Sequence, residues 1–331
     1  MTVKKIGILT SGGDAPGMNA CIRAICLTAE HAGIKTVGYK HGYNGLLNQE
    51  FIELDPTRVY NLIQRGGTIL YSARCDKFKQ DPFVELAAQN LDANNVDALI
   101  VIGGNGSFRG AAKLQSVWNK PVVGVPGTID NDICGTDFTI GYHTAIQTAV
   151  ESIDKVRDTA EAFERIFLVE VMGNKAGFIA LNSAIAAGCD HVLVPERFTT
   201  AGEELVKIID KLDSRRKNKK FASLVITVTE NLWPGGLNVL ADSLASETGV
   251  DVRVLTLGHV QRGGSPSSED RLLATRMGTY AVKCCVDKMQ NIMVAEAQEK
   301  PIAVPIEKSW LEKKNLNDYT VEILDKITLL G

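Results

Sequence analysis

Three times in its first 132 residues the chain repeats one device, a short apolar run that stops at a turn containing glycine. Ile6–Leu9 runs into Thr10-Ser11-Gly12-Gly13-Asp14, Ala98–Ile102 into Gly103-Gly104-Asn105-Gly106-Ser107, and Val122–Val125 into Pro126-Gly127-Thr128-Ile129-Asp130-Asn131-Asp132. Runs without polar alternation fit strands buried on both faces, as in a parallel sheet covered by helices. Ile166–Val171, Val192–Val194, Leu224–Val228 and Val252–Leu257 continue the pattern. Helical stripes lie between them: Leu205, Val206, Ile208, Ile209 and Leu212 within 203–212, and Ala145, Ile146, Ala149, Ile153 and Val156 within 144–156. This alternation predicts an α/β protein with mostly parallel sheets. Ligands of such sheets bind beyond the carboxyl ends of the strands, so the three turns are expected to line one rim.

At about 150 residues per domain, a length of 331 residues suggests two domains. A hydrophobic share of 45% and a charged share of 23% allow ordinary packed cores. The net charge of −3 gives no general attraction to nucleic acid or an anionic membrane. No apolar run approaches the roughly 18–20 residues that span a bilayer, and Met1–Lys5 is too short and too soon punctuated for a signal peptide. Seven cysteines without a CxxC pair read as buried free thiols in a reducing compartment, hence a cytoplasmic protein.

Glycines after a strand let backbone N–H groups approach an anion at a helix N-terminus. The first turn is neither GxGxxG nor a P-loop, and by itself it also suits a plain tight turn. A second turn of the same kind points to a polyphosphate. The third sets two carboxylates, Asp130 and Asp132, two residues apart, which suits either phosphoryl transfer or the capping of a following helix. The segment Arg253 to Pro266 adds Arg253, His259 and Arg262 around Gly258, Gly263 and Gly264. Arginine forks beside such turns suit a sugar phosphate. Arg74, after Gly66-Gly67-Thr68, reads as a further arginine at a strand end, for a ligand or a surface ion pair.

With these residues in view, the chain resembles the bacterial-type ATP-dependent 6-phosphofructokinases from Ile6 to about Ile302. The motifs are Gly12-Gly13-Asp14-Ala15-Pro16-Gly17-Met18-Asn19, Pro126 to Asp132, Val169-Glu170-Val171-Met172-Gly173, and Gly258-His259-Val260-Gln261-Arg262-Gly263-Gly264-Ser265-Pro266. The resemblance implies two three-layer Rossmann-like α/β/α domains with the active site in the cleft between them. The larger, ATP-binding domain would take 1–140 plus about 260–310, and the smaller, sugar-binding domain about 141–259 plus 311–331. It implies ATP-dependent phosphorylation of fructose 6-phosphate at the 1-hydroxyl in glycolysis. Asp130 would be the general base, assisted by Thr128, Asp132 and Arg74. ATP and ADP would meet Gly13, Arg74, Cys75, Gly104, Asn105, Gly106 and Ser107. The sugar would meet Thr128, Ile129, Asp130, Met172, Gly173, Asn174, Glu230, His259 and Arg262. Arg165 and Arg253 would reach a neighbouring subunit's sugar site in a homotetramer. Pyrophosphate users of the family carry an acid and a lysine where this chain has Gly106 and Gly127; both glycines are expected to leave room for a nucleoside.

The chain also departs from the family pattern. Asn105 replaces the Asp that serves Mg²⁺, leaving Asp132 as the carboxylate of the metal site, and an amide is a poorer partner for a hard cation. The expectation is weaker magnesium handling with activity retained. Asn174 stands in place of an arginine. An effector site would use Arg23, Arg157, Asp190, Lys217, Lys219 and Lys220. Leu27 and Pro56 replace two of its arginines, however, and each lost charge-assisted contact costs about 1.5–3 kcal/mol. Weak or absent effector regulation is expected. The alternatives are a weakly catalytic, nucleotide- or sugar-phosphate-binding regulatory paralogue, or a kinase for another ketose phosphate. Trp118, Trp233 and Trp310 are expected to be packing residues.

Overall fold

The computed structural model describes residues 2–217 and 223–327. Eleven strands occur among them: β1 Lys5–Ser11, β2 Lys35–Tyr39, β3 Phe51–Leu54, β4 Ala98–Gly103, β5 Val122–Pro126, β6 Ile166–Val171, β7 His191–Leu193, β8 Leu224–Thr229, β9 Val252–Thr256, β10 Ile292–Ala297 and β11 Lys300–Pro305. They divide between two compact units. The larger is built from residues up to Ile129, from Ile133–Thr144 and from Arg262–Lys314. The smaller takes Asp130–Asp132, Ala145–Gln261 and residues from Asn315 onward.

The larger unit holds a seven-stranded sheet in the order β11-β10-β5-β4-β1-β2-β3. Its five inner strands are parallel, and β3 and β11 run antiparallel at the two edges. Alternate residues serve opposite faces of a strand. Leu9, Val37, Leu99 and Val101 join Leu91, Phe108 and Leu114 in one core. Ile6, Ile8, Ile100 and Ile102 are buried from the other face. The helices Met18–His31 and Ser268–Val286 pack on each other, and the latter packs on β5 and β10.

The smaller unit holds an all-parallel sheet in the order β7-β8-β6-β9. Ile166, Leu168, Ile226 and Val228 pack with Ile208 and Leu212 of the helix Ala201–Lys217, and with Leu240 and Leu244 of the helix Leu237–Thr248. Val206 leaves the expected stripe and is exposed, because the buried positions of this helix are Glu204, Ile208 and Leu212, four residues apart.

All seven strands expected from apolar runs are present. β2, β3, β10 and β11 were not among them. Trp118 and Trp233 pack as expected, and Trp310 stacks under Arg109 at 5.6 Å. All seven cysteines are free thiols. Among the described residues no helix is long and apolar enough to cross a membrane.

His191, at the start of β7, has its imidazole pushed down to about 4 by burial first and by Lys211 second. Glu204, whose Oε2 lies 3.6 Å from Nε2, works against this, while Lys207 holds the other oxygen of Glu204 at 2.7 Å. Below the ordinary histidine pKa of about 6.5 the unfolded chain takes up a proton that the folded one refuses, so stability falls as pH drops from 6.5 towards 4. His191→Gln is expected to flatten this part of the pH profile. Urea midpoints at pH 7 and pH 5 check it, and equal losses in both proteins would refute it.

Candidate active site

Register places side by side, in the larger unit, the ends of β1, β4 and β5 from which the three turns start: Ser11 pairs with Gly103, and Gly103 with Pro126. The Gly127 N–H joins the third turn to the second by donating to the Gly103 carbonyl at 3.0 Å, and hydroxyls lock the first two. The Ser107 hydroxyl donates to the Ser11 carbonyl at 3.0 Å. The Tyr43 hydroxyl donates to the Ser107 carbonyl at 2.6 Å, its ring stacked on Phe78 at 4.0 Å. A Cβ on Gly103 would stand 2.5 Å from the Ser11 oxygen, so only glycine permits this approach. The helix Asn105–Val117 starts directly after Gly104, which puts Asn105, Gly106 and Ser107 in the first turn, where N–H groups lack helical partners.

The two glycines expected to leave room differ. A Cβ on Gly106 would meet open space, whereas one on Gly127 would stand 3.0 Å from Ile102 and 3.1 Å from Met18. Gly127 is therefore small for packing, and only Gly106 borders space for a ligand.

Arg74 does not end a strand. Residues 62–75 are irregular, and side chains do the work that strand neighbours would do. Buried Asn19 donates to the carbonyls of Arg65 and Gly66 at 3.1 Å each and accepts the Ile69 N–H at 2.8 Å. Thr10 donates to the Tyr71 carbonyl at 2.9 Å and Ser72 to the Gly12 carbonyl at 2.6 Å. These bonds carry the segment to the first turn and leave Arg74 exposed and Cys75 half-buried beside it. Arg262 reaches the same turn, its Nη1 donating to the Asp14 carbonyl at 3.1 Å. A Cβ on Gly13 would stand 2.7 Å from that nitrogen.

The acidic turn is held from behind. Ile140 N–H donates to the Pro126 carbonyl at 2.9 Å, and Thr139 Oγ1 to the Thr128 carbonyl at 2.6 Å. Ile129 is fully buried, which leaves its backbone for any ligand contact. Asn131 is buried in the left-handed region with φ 53°, between half-buried Asp130 and Asp132. The next helix starts only at Tyr142, and the carboxylate at its N-terminus is that of Asp270, a residue the sequence reading did not single out. Asp270 is fully buried and accepts from Gly141 N–H at 2.8 Å, Thr144 N–H at 2.7 Å and the Thr144 hydroxyl at 2.5 Å. Burial pushes its carboxyl up, and these donors oppose the shift.

In the smaller unit, Met172, Gly173 and Asn174 follow the carboxyl end of β6, and Glu230 follows that of β8. Glu230 Oε1 accepts the N–H groups of Gly173 at 3.2 Å and Asn174 at 2.9 Å. His259 is exposed in the 3-10 turn Gly258–Arg262. Arg165 and Arg253 lie at the amino ends of β6 and β9, the opposite end of this sheet, where one oxygen of Asp251 binds both, at 2.7 Å and 2.9 Å.

Of the effector candidates, Arg157 caps a helix C-terminus through the carbonyls of Ala187 at 2.6 Å and Gly188 at 2.8 Å. Asp190 is buried against Arg215 and the Val225 N–H. Arg23 is half-buried on the helix Met18–His31, Lys217 is exposed, and Lys219 and Lys220 lie outside the described residues. A cavity of about 560 Å³ beside His191 and Phe198 contains none of the expected site residues.

Among the described residues no three His, Cys, Asp or Glu side chains gather as a metal cage. The Asn105 amide and the Asp132 carboxylate are each an oxygen donor of the kind that Mg²⁺ accepts.

Residues 5–285 match the family described as Phosphofructokinase. The chain belongs to the phosphofructokinase family. It is 43% identical over 327 residues to ATP-dependent 6-phosphofructokinase 1 of Thermus thermophilus, covering 99% of this chain and all of that one. It is 43% identical to ATP-dependent 6-phosphofructokinase 2 of Bacteroides thetaiotaomicron, covering 99% of each. The phosphofructokinase of Saccharomyces cerevisiae superposes with a TM-score of 0.86 at 33% identity; the alignment covers 98% of this chain but spans only 46% of the yeast chain. The pyrophosphate-dependent phosphofructokinase of Nitrosospira multiformis, at 20% identity and a TM-score of 0.86, shares the fold. Membership in the phosphofructokinase family agrees with both α/β sheets and with the order of the motifs along the chain.

Proposed function

We propose that the chain is an ATP-dependent 6-phosphofructokinase. It moves the γ-phosphoryl group of ATP to the 1-hydroxyl of fructose 6-phosphate, giving fructose 1,6-bisphosphate and ADP in glycolysis. The observation that carries this reading is the set of three turns locked together at the carboxyl ends of β1, β4 and β5, the third bearing Asp130.

The larger unit would hold the nucleotide. Gly13, Gly104, Gly106 and Ser107 offer backbone to its phosphates, and Arg74 and Cys75 lie beside the first turn. The open space at Gly106 favours a nucleoside triphosphate over pyrophosphate. Asp130 takes the proton of the 1-hydroxyl as the oxygen attacks phosphorus, and the bond to the ADP oxygen breaks in line. Thr128 and Ile129 orient the acceptor. Mg²⁺, when bound through Asp132 and Asn105, supplies charge neutralisation at the phosphates. Met172, Gly173, Asn174, Glu230, His259 and Arg262 serve the sugar phosphate. Arg165 and Arg253 lie at the far end of the strands from Met172, so their service to a sugar would be to a neighbouring copy in a homotetramer. The free thiols suit a cytoplasmic location.

A coupled assay with fructose 6-phosphate and ATP, titrated with Mg²⁺ for the wild type and Asn105→Asp, tests this reading. Turnover by the wild type is expected, with Asn105→Asp lowering the half-saturating Mg²⁺ several-fold at similar kcat, since a carboxylate serves a hard cation better than an amide. Background turnover by both proteins would overturn the activity. An unchanged magnesium profile would remove Asn105 from the metal site.

A further inference from the structure

We infer that Gln261 is a positioning residue for the sugar phosphate, acting through the backbone of the Met172–Asn174 turn. The inference rests on the reading above, in which this turn and His259 meet fructose 6-phosphate. Gln261 is wholly buried in the 3-10 turn Gly258–Arg262, so it acts on a ligand only through what it holds. Its Oε1 accepts the Met172 N–H at 2.8 Å, and its Nε2 donates to the Ala145 carbonyl at 3.4 Å. A primary amide offers an acceptor on one side and donors on the other. One side chain thereby ties together the residues after β6, the turn that carries His259, and the long helix Tyr142–Phe163 near its start.

The rest of the turn is equally committed. The Gly173 and Asn174 N–H groups go to Glu230 Oε1, so all three N–H groups of the turn are held by side chains. Gly173 has φ +147°, and a Cβ there would stand 2.5 Å from the Ala176 carbonyl oxygen. The turn therefore has one shape, fixed from beneath by Gln261 and Glu230, and Glu230 alone of the two is open to a ligand. Removing the Gln261 acceptor leaves the buried Met172 N–H without a partner, which the turn relieves only by moving.

Gln261→Met preserves length and removes the acceptor; Gln261→Glu preserves the acceptor, and burial favours its protonated form, whose O–H also replaces the donor to the Ala145 carbonyl. Gln261→Met is expected to raise the KM for fructose 6-phosphate about tenfold, with kcat and the KM for ATP within about twofold of wild type, and Gln261→Glu to recover most of the loss. His259→Ala is assayed beside them. If His259→Ala raises the sugar KM and Gln261→Met does not, the inference falls and the site reading stands. If neither changes it, both fall. Equal rises in both KM values, or no recovery in Gln261→Glu, reduce Gln261 to a fold residue and overturn the inference. Hydrogen exchange of the wild-type Met172 amide decides the matter if Gln261→Met does not fold: slow exchange is expected, and exchange at the rate of an open loop overturns it.

Discussion

Replacing Asp130 by Asn lowers kcat by about 10²–10⁴-fold, the usual contribution of a positioned general base, while both KM values stay within a few-fold of wild type. Asparagine keeps size and polarity, so the surrounding turn survives. Its neighbours are held independently: Thr139 fixes the Thr128 carbonyl at 2.6 Å, and Ile140 fixes the Pro126 carbonyl at 2.9 Å. What disappears is the carboxylate that, in the mechanism proposed above, accepts the proton of the sugar hydroxyl. The coupled assay at saturating substrates reads the loss, with the thermal midpoint as a control for folding. A kcat within tenfold of wild type would take Asp130 out of the proton transfer and leave it a binding group.

The second large effect is on stability. Asp270→Ala strands three donors at once, Gly141 N–H, Thr144 N–H and the Thr144 hydroxyl, all of which point at one buried carboxylate. Each buried donor left unpaired costs about 1–3 kcal/mol, and water entering the cavity recovers part of that, so a net loss of about 2–4 kcal/mol is expected. Asp270→Asn keeps one acceptor oxygen and should lose less. Urea midpoints measured for the two variants check the order. A loss below about 1 kcal/mol for Asp270→Ala would mean that the helix N-terminus finds other acceptors, and that the support behind the acidic turn lies elsewhere.

Six of the seven strands foreseen from the sequence, all but β9, are buried along most of their length and read as nearly unbroken apolar runs; β9, at the sheet edge, has Arg253 and Thr256 exposed and was foreseen from Val252, Val254, Leu255 and Leu257 alone. The four unforeseen strands were masked for separate reasons. β2 is broken by Lys35 and Gly38. β3 and β11 are edge strands, and β11 carries Pro301 and Pro305, tolerable where one side has no ladder to feed. β10 reads Ile-Met-Val-Ala-Glu-Ala, a composition equally suited to a helix, and its buried Glu296 is affordable because Arg276 pairs with it. The glycine turns and acids of the site were legible because they are local in sequence. The supports were not. Asn19, Gln261 and Asp270 act on residues about 50, 90 and 130 positions away, and only the folded chain reveals that each buried polar side chain has a backbone group waiting for it. Arg74 misled because glycines before an arginine resemble a strand end, whereas Asn19 and Ser72 organise that stretch without a strand.

The division of the chain also sets an order of events on the ribosome. The four strands of the smaller unit lie within residues 166–256, an unbroken stretch, whereas the larger sheet opens with Lys5 and is completed by Pro305. Because domains fold as units as synthesis proceeds, the smaller sheet can close while β10 and β11 are still untranslated. The first glycine turn then waits for Arg262, which arrives 248 residues after the Asp14 it binds. The nascent enzyme must therefore shelter the apolar flank of β5 for about half of its translation, from Pro126 to Ile292, and any premature stop before residue 292 leaves that flank bare.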